Sequence, residues 1–216
     1  SSLPDVSLYT TSLVGQELEI RVDLKTGSYT PHFFFPKDFE GFHNVFYVTY
    51  SRIVDEKGNF IYSFPMSHDL YVKNSQGEIR TEKAKSSFAD TWGDIQKATN
   101  LGDVVQEEKA YIEGFSYRYI VFDEYRDVYY RFVEHPTELV NPIDGRVTTF
   151  EDKPSSVIIL NDDFQKIGEY YLGSEKYLIS NYFVNSKGLW ISNSNLKNPS
   201  INEDVLSFTL LELIQK

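Results

Sequence analysis

Hydrophobic and polar positions alternate in short blocks along this chain. Apolar, aromatic-rich runs such as Val45 to Val54, Tyr117 to Phe122 and Tyr177 to Val184 are each cut off by a brief polar segment, and a further apolar run follows. Runs of this kind, bounded by Asp, Asn, Gly and Ser, read as strand, turn, strand. The segment Asp123-Glu124-Tyr125-Arg126-Asp127-Val128-Tyr129-Tyr130-Arg131-Phe132 has a second copy 68 residues earlier, Asp55-Glu56-Lys57-Gly58-Asn59-Phe60-Ile61-Tyr62-Ser63-Phe64. The shared pattern is D-E-x-x-[ND]-apolar-x-Y-x-F, and a degraded third copy runs from Asn185 to Ile191. The pattern predicts hairpin turns at Asp55 to Asn59, Asp123 to Asp127 and Asn185 to Gly188. Tyr62, Phe64, Tyr130 and Phe132 then alternate into or beside the packing.

Leu70 to Ile79 resembles Ile158 to Ile167, and Leu18 to Phe35, turning at Lys25-Thr26-Gly27, fits the same second half of a unit. The repeat is therefore two successive hairpins, four strands in all. Repeated four-stranded antiparallel units predict an all-β, β-propeller-like fold, with an open β-sandwich or a β-rich solenoid as the alternative. The chain enters during a blade near Leu8 to Val14. Two full blades follow, at about Asn44 to Ala84 and Tyr111 to Leu172, and a shorter, three-stranded one runs from Tyr177 to Ile214. Three to four blades are too few to close a ring comfortably. The expectation is a single domain over residues 1–216 forming an incomplete propeller, the C-terminal part of a longer chain, with an exposed sheet edge available for self-association. The best helix candidate is Leu101 to Glu113, with Asp103 as a cap, but its length is marginal and the balance is against it. Glu134 to Ser156 carries Pro136, Pro142 and Pro154 and reads as a long loop, of the type that often serves function.

Composition adds exclusions. The 216 residues carry a formal net charge of −11, with 41% hydrophobic, 25% charged and 16% aromatic residues. That charge argues against a nucleic-acid partner or an anionic membrane surface. Cysteine is absent, which removes disulfides, thiolate zinc sites and a cysteine nucleophile within the chain. No apolar run is long enough to span a membrane as a helix. No P-loop, G-x-G-x-x-G, G-x-S-x-G, H-E-x-x-H or EF-hand loop is present, so no cofactor, metal or catalytic residue is assigned. The oxygens of Asn161-Asp162-Asp163 suit a turn better than calcium, and Asp123-Glu124 suit a turn better than an acid–base pair, because Asp55-Glu56 occupy the same place in the other copy.

Topology supplies the candidate binding residues. In a four-stranded blade, the loop before the first strand and the loop between the second and third lie on one face, and the remaining turns lie on the other. His43 falls in the first kind of loop, and His68 and His135 in the second. Tyr117 and Arg118 begin an inner strand at the same end, and Trp92 and the long proline loop accompany them. The expected binding face is thus His43, His68, Trp92, Tyr117, Arg118 and His135, weighed against simple solvated loop histidines. A three-histidine metal site would need these rings to converge.

The segments "FDEYRDVYYRF", "KPSSVIILNDDFQKIGEYYL" and "GLWISNSNLKNPSINEDVLSFTLLEL" resemble the C-terminal half of domain of unknown function 4221, a bacterial family similar to six-bladed β-propellers, with the likeness running from about Asn44 to the end. The resemblance implies a longer exported protein, lipid-anchored in the periplasm or cell envelope, and brings no assigned activity. The favoured expectation is a non-catalytic binding or scaffold module for a small molecule, glycan, peptide or protein surface. The alternatives are a propeller-type hydrolase or lyase using His68 or His135 with Asp69 or Glu134, and a structural part of an envelope assembly.

Overall fold

The structure is a computed structural model that describes residues 15–39, 49–89, 104–143, 145–202 and 204–214. Its strands are β1 (Glu17–Val22), β2 (Tyr29–Phe34), β3 (Ser51–Val54), β4 (Phe60–Ser63), β5 (Asp69–Lys73), β6 (Ile79–Lys83), β7 (Ser116–Asp123), β8 (Val128–Glu134), β9 (Ser155–Leu160), β10 (Lys166–Gly173), β11 (Leu178–Asn185), β12 (Gly188–Ser192) and β13 (Phe208–Leu211). The one α-helix among the described residues, α1, spans Val104–Glu113. The fold is all-β and propeller-like. Every pairing is antiparallel, in sheets ordered β1-β2, β3-β4-β5-β6, β7-β8-β9-β10 and β11-β12-β13, and none of these sheets closes on itself. First strands of successive sheets face one another, β3 against β7 and β7 against β11.

All three expected hairpin turns are present, between β3 and β4, β7 and β8, and β11 and β12. Their aspartates bend the chain as expected. Asp55 accepts the Asn59 N–H at 2.8 Å, and Asp123 accepts the Tyr125 N–H at 3.0 Å. Both are nevertheless buried, because each also ties strands together. Tyr129 Oη donates to Asp55 across to the preceding sheet, and Tyr130 Oη donates to Asp123. Arg126 reaches from its turn to the carbonyls of Asn185 and Ser186 in the next one. The Asn161 side chain closes its own turn by accepting the N–H groups of Asp163 and Gln165.

Strand alternation explains the core. Every residue of β8 is buried, since both faces of its sheet are covered. Tyr129 and Val133 pack with Ile61, Leu70 and Val72 of the preceding sheet. Val128, Tyr130 and Phe132 pack with Leu189 and Ile191 of the following one. Tyr62 and Phe64 face the other way, towards Phe33, Phe35 and Phe39. Full burial of each such ring contributes about 1.5–3 kcal/mol. The same alternation carries Arg131 into the core between Tyr129 and Val133.

The helix corrects the expectation from length. Ten residues are marginal alone, but Ala110, Tyr111 and Ile112 are buried, and tertiary packing of one face stabilises what propensity does not. No helix among the described residues is long and apolar enough to cross a membrane.

Candidate functional site

The start of β7 is irregular. Tyr117 pairs with Val133 and Ile120 with Arg131, so three steps on β7 match two on β8 and one extra residue is accommodated at Arg118–Tyr119. On β11 the register also jumps near the start, from Leu178↔Ser192 to Tyr182↔Ile191. Bulges bend a strand and re-aim its side chains. Here they open the wall between neighbouring sheets, and the Ile120 N–H crosses to Ser51 Oγ on β3 at 3.1 Å.

Arg118 stands at the centre of this opening. Its Nε lies 3.5 Å from Glu134 Oε1. The other oxygen of Glu134 accepts the Tyr111 hydroxyl at 2.5 Å and the Ser116 hydroxyl at 2.9 Å. Burial works against the Arg118 charge, but Glu134, Tyr111 and Tyr119 outweigh it and hold its pKa above the ordinary value. Burial and Glu134 together push the Tyr111 phenol up. Lys153, at the end of the long proline loop, is buried over the Tyr111 ring. It donates to the carbonyls of Tyr111 and Gly114 at the end of α1, as a cation at a helix C-terminus should. Burial lowers its pKa to about 8, against the pull of Glu134 and with help from Arg118.

Two cavities flank Arg118 and share its wall with Tyr119. One, of about 270 Å³, is lined by Thr49, Tyr50, Ser51, Pro65 and Tyr117. The other, of about 190 Å³, is lined by Glu134, Phe150, Lys153, Tyr177, Ser180 and Asn195 among others.

The other expected binding residues fall into a neighbouring network. His68 Nδ1 is 2.6 Å from Tyr117 Oη, which also accepts the Ser86 N–H. Ser86 Oγ and Ser156 Oγ both donate to Glu169 Oε1, and His135 Nε2 lies 2.9 Å from Ser156 Oγ. His68 and His135 thus lie at the same end, joined through Tyr117, Ser86, Glu169 and Ser156. The picture of solvated loop rings is corrected: His68 stacks on Phe115 and is half-buried, while His135 is buried against Tyr171 and Phe88. Tyr117 is fully buried as well. Burial, then Lys85, Arg131 and Lys83, lower the His68 pKa to about 4. Burial also lowers that of His135. Burial would raise Glu169, but hydrogen bonds from Lys166, Ser86, Ser87 and Ser156 bring it below the usual carboxylate range. His43 and Trp92 lie outside the described residues. Among the described residues, no three His, Asp or Glu side chains gather as a metal site would require.

Tyr119, Tyr111, Lys153 and Glu169 were not singled out from the sequence. A lysine in Asp152-Lys153-Pro154 looks like any loop lysine until the helix end it caps is known. Tyr119 had a weak signal, since it lies one residue beyond Arg118 on a strand with alternating aromatics.

Comparison with known proteins now adds a family. The model of the domain of unknown function DUF4221 matches residues 20–171. The chain belongs to this family. The match begins before Asn44 and stops short of β11, so its limits differ from those the resemblance implied. A crystal structure of a DUF4221 member from Bacteroides vulgatus ATCC 8482 is similar, with 29% identity and a TM-score of 0.69. The overlay covers 90% of this chain and 55% of that one, so the present DUF4221 chain spans about half the length of that relative. No match was found among curated proteins.

Proposed function

We propose that this DUF4221 chain is a non-catalytic binding module whose ligand is a neutral, hydroxyl-rich molecule of the glycan type, held in the twin cleft around Arg118. The observation that carries this reading is the pair of cavities sharing the Arg118–Tyr119 wall. The lining charges of the second cavity balance: Arg118 and Lys153 stand against Glu134 and Glu151. A charged ligand would gain little net attraction there. Tyr50, Tyr119, Tyr177 and Phe150 offer apolar ring faces, and Thr49, Ser51, Ser155 and Ser180 offer hydroxyls, the mixture a sugar ring uses.

The hydrolase alternative draws less support. Ser156, His135 and Glu169 have the composition of a catalytic triad but the wrong order. A triad places the imidazole between nucleophile and acid, whereas here the serine lies between histidine and glutamate and is fully buried. Export and lipid anchoring in the periplasm or envelope are proposed from family resemblance alone, and fractionation of cells expressing the full-length protein tests them.

The binding reading is tested by calorimetric titration with neutral oligosaccharides and with short charged peptides. We expect a saccharide to bind, with Tyr119→Ala weakening it at least about tenfold, the equivalent of roughly 1.4 kcal/mol. Saccharide binding unchanged in Tyr119→Ala, or binding of charged peptides alone, would overturn it.

A further inference from the structure

The β1–β2 hairpin carries an irregularity of its own. Ile20 stands opposite Pro31 and Glu19 opposite Phe33, which makes His32 the extra residue of a bulge, outside the regular ladder. Lys73 Nζ, from β5 of the next sheet, donates to the His32 carbonyl. The same ammonium lies 3.5 Å from His32 Nδ1. An ammonium can only donate, so Nδ1 is the acceptor and the ring proton sits on Nε2. That nitrogen is buried and has no partner among the described residues, in a side chain only 9% exposed. A buried donor without an acceptor is costly and asks for one.

The surrounding charge points to what the acceptor is. Arg21 lies opposite Thr30, diagonal to the bulge across the hairpin, where side chains are still within reach of one another. Arg52 stands over the Phe60 ring, against which the His32 ring packs edge-on at 4.4 Å. With Lys73 these make three cations. The facing carboxylate is Glu19, already engaged by Tyr50, Arg52 and Tyr62. Arg21 and Lys73 have no carboxylate partner among the described residues. After burial, Lys73, Arg21 and Arg52 all disfavour a proton on His32, with Glu19 opposing. Burial and Arg21 likewise lower Lys73. Cations that repel one another around an unused donor, on a chain of net charge −11, mark a place complementary to an anion.

We propose that this bulge is a binding site for a small tetrahedral oxyanion, a phosphate or sulfate group, with His32 Nε2 as the buried donor and Arg21 and Lys73 as countercharges. It is separate from the cleft around Arg118 and stands or falls independently of it.

The test is a titration of the full chain at pH 7.5 and constant ionic strength with inorganic phosphate, sulfate and acetate in turn, following histidine ring signals by NMR. Phosphate or sulfate should move the His32 Nε2–H signal to saturation, and acetate should bind more weakly. Arg21→Gln, an exposed change that leaves the fold in place, should weaken binding about fivefold or more, and His32→Gln should remove it. A linear, unsaturated shift equal in wild type and Arg21→Gln would reduce the effect to ionic screening and overturn the site. Acetate binding as tightly as phosphate and sulfate would overturn its assignment to a tetrahedral oxyanion.

Discussion

The guanidinium of Arg131 lies 3.6 Å from the ring centroid of Tyr117, face-on and fully buried. Among the described residues, no carboxylate accepts from it. Instead Nε donates to Ser63 Oγ, and the two terminal nitrogens donate to the carbonyls of His68, Ala84, Phe64 and Ser67. Burial lowers its pKa to about 10, with Tyr117 and Asp69 opposing, so it stays charged at neutral pH. One side chain of the second full sheet thereby gathers the loop of the first. Arg131→Ala should cost about 3–5 kcal/mol, because it opens a cavity and strands several buried carbonyls. Arg131→Lys, which cannot serve that many acceptors in a plane, should lose a large part of the same amount. Urea unfolding measures both, and a loss below about 1 kcal/mol for Arg131→Ala would contradict the clamp.

At the opposite end of the sheets, Tyr129 Oη donates to Asp55 Oδ2 at 3.0 Å. Tyr129→Phe should cost about 1–2 kcal/mol, since a buried carboxylate loses a donor. A double-mutant cycle with Asp55→Asn should show coupling, and additive effects would mean the bond contributes nothing beyond the turn.

Two glycines, Gly58 in the turn before β4 and Gly188 at the start of β12, make unequal demands. Gly58 has φ +77° with open space around it, whereas a Cβ on Gly188, at φ +150°, would meet the Leu211 carbonyl oxygen at 2.5 Å. Gly58→Ala should therefore cost about 1 kcal/mol from backbone conformation alone. Gly188→Ala should cost clearly more and loosen the β12–β13 pairing. Thermal melts rank the two, and equal losses would count against the close approach.

How far the sequence revealed all this varied with the type of interaction. Hairpins were legible because local signals suffice: Asp, Asn and Gly at the bends and alternation beside them. The helix was misjudged because its stability comes from Tyr111 and Ile112 packing into a core formed by distant residues. The place of Arg118 near the start of β7 was legible from strand polarity alone. Its partners were not, because a bulge shifts which neighbours a side chain meets, and nothing local marks Arg118–Tyr119 as bulged. His68 and His135 do lie at one end of the sheets, but their burial was not legible. A loop position carries no record of the Phe115 and Tyr171 rings that close over them.

His68 makes the fold sensitive to acid. Its pKa is about 4 in the folded protein, below its ordinary 6.5, so folding favours the neutral ring. Its contribution is fully present above pH 6.5 and is lost as pH falls through that value towards about 4. His68→Gln, which can still meet Tyr117, should flatten this part of the stability profile. Parallel curves for wild type and variant between pH 7 and 4 would show that the ring's titration is not coupled to folding.

The acceptors that surround Arg131 precede it in the chain by 47 to 68 residues. At a ribosomal rate of about 5–20 residues per second, they emerge roughly 2–14 s before the guanidinium that gathers them. During that interval, the loop from Phe64 to His68 keeps its carbonyls in water, and the hydroxyl of Ser63 waits with them. Arrival of Arg131 then supplies the link between β8 and the preceding sheet, after Tyr117, whose ring its flat face meets, and before β9 and β10 complete its own sheet. The nascent chain is thus built in the order in which the clamp needs its parts, with the charged donor last.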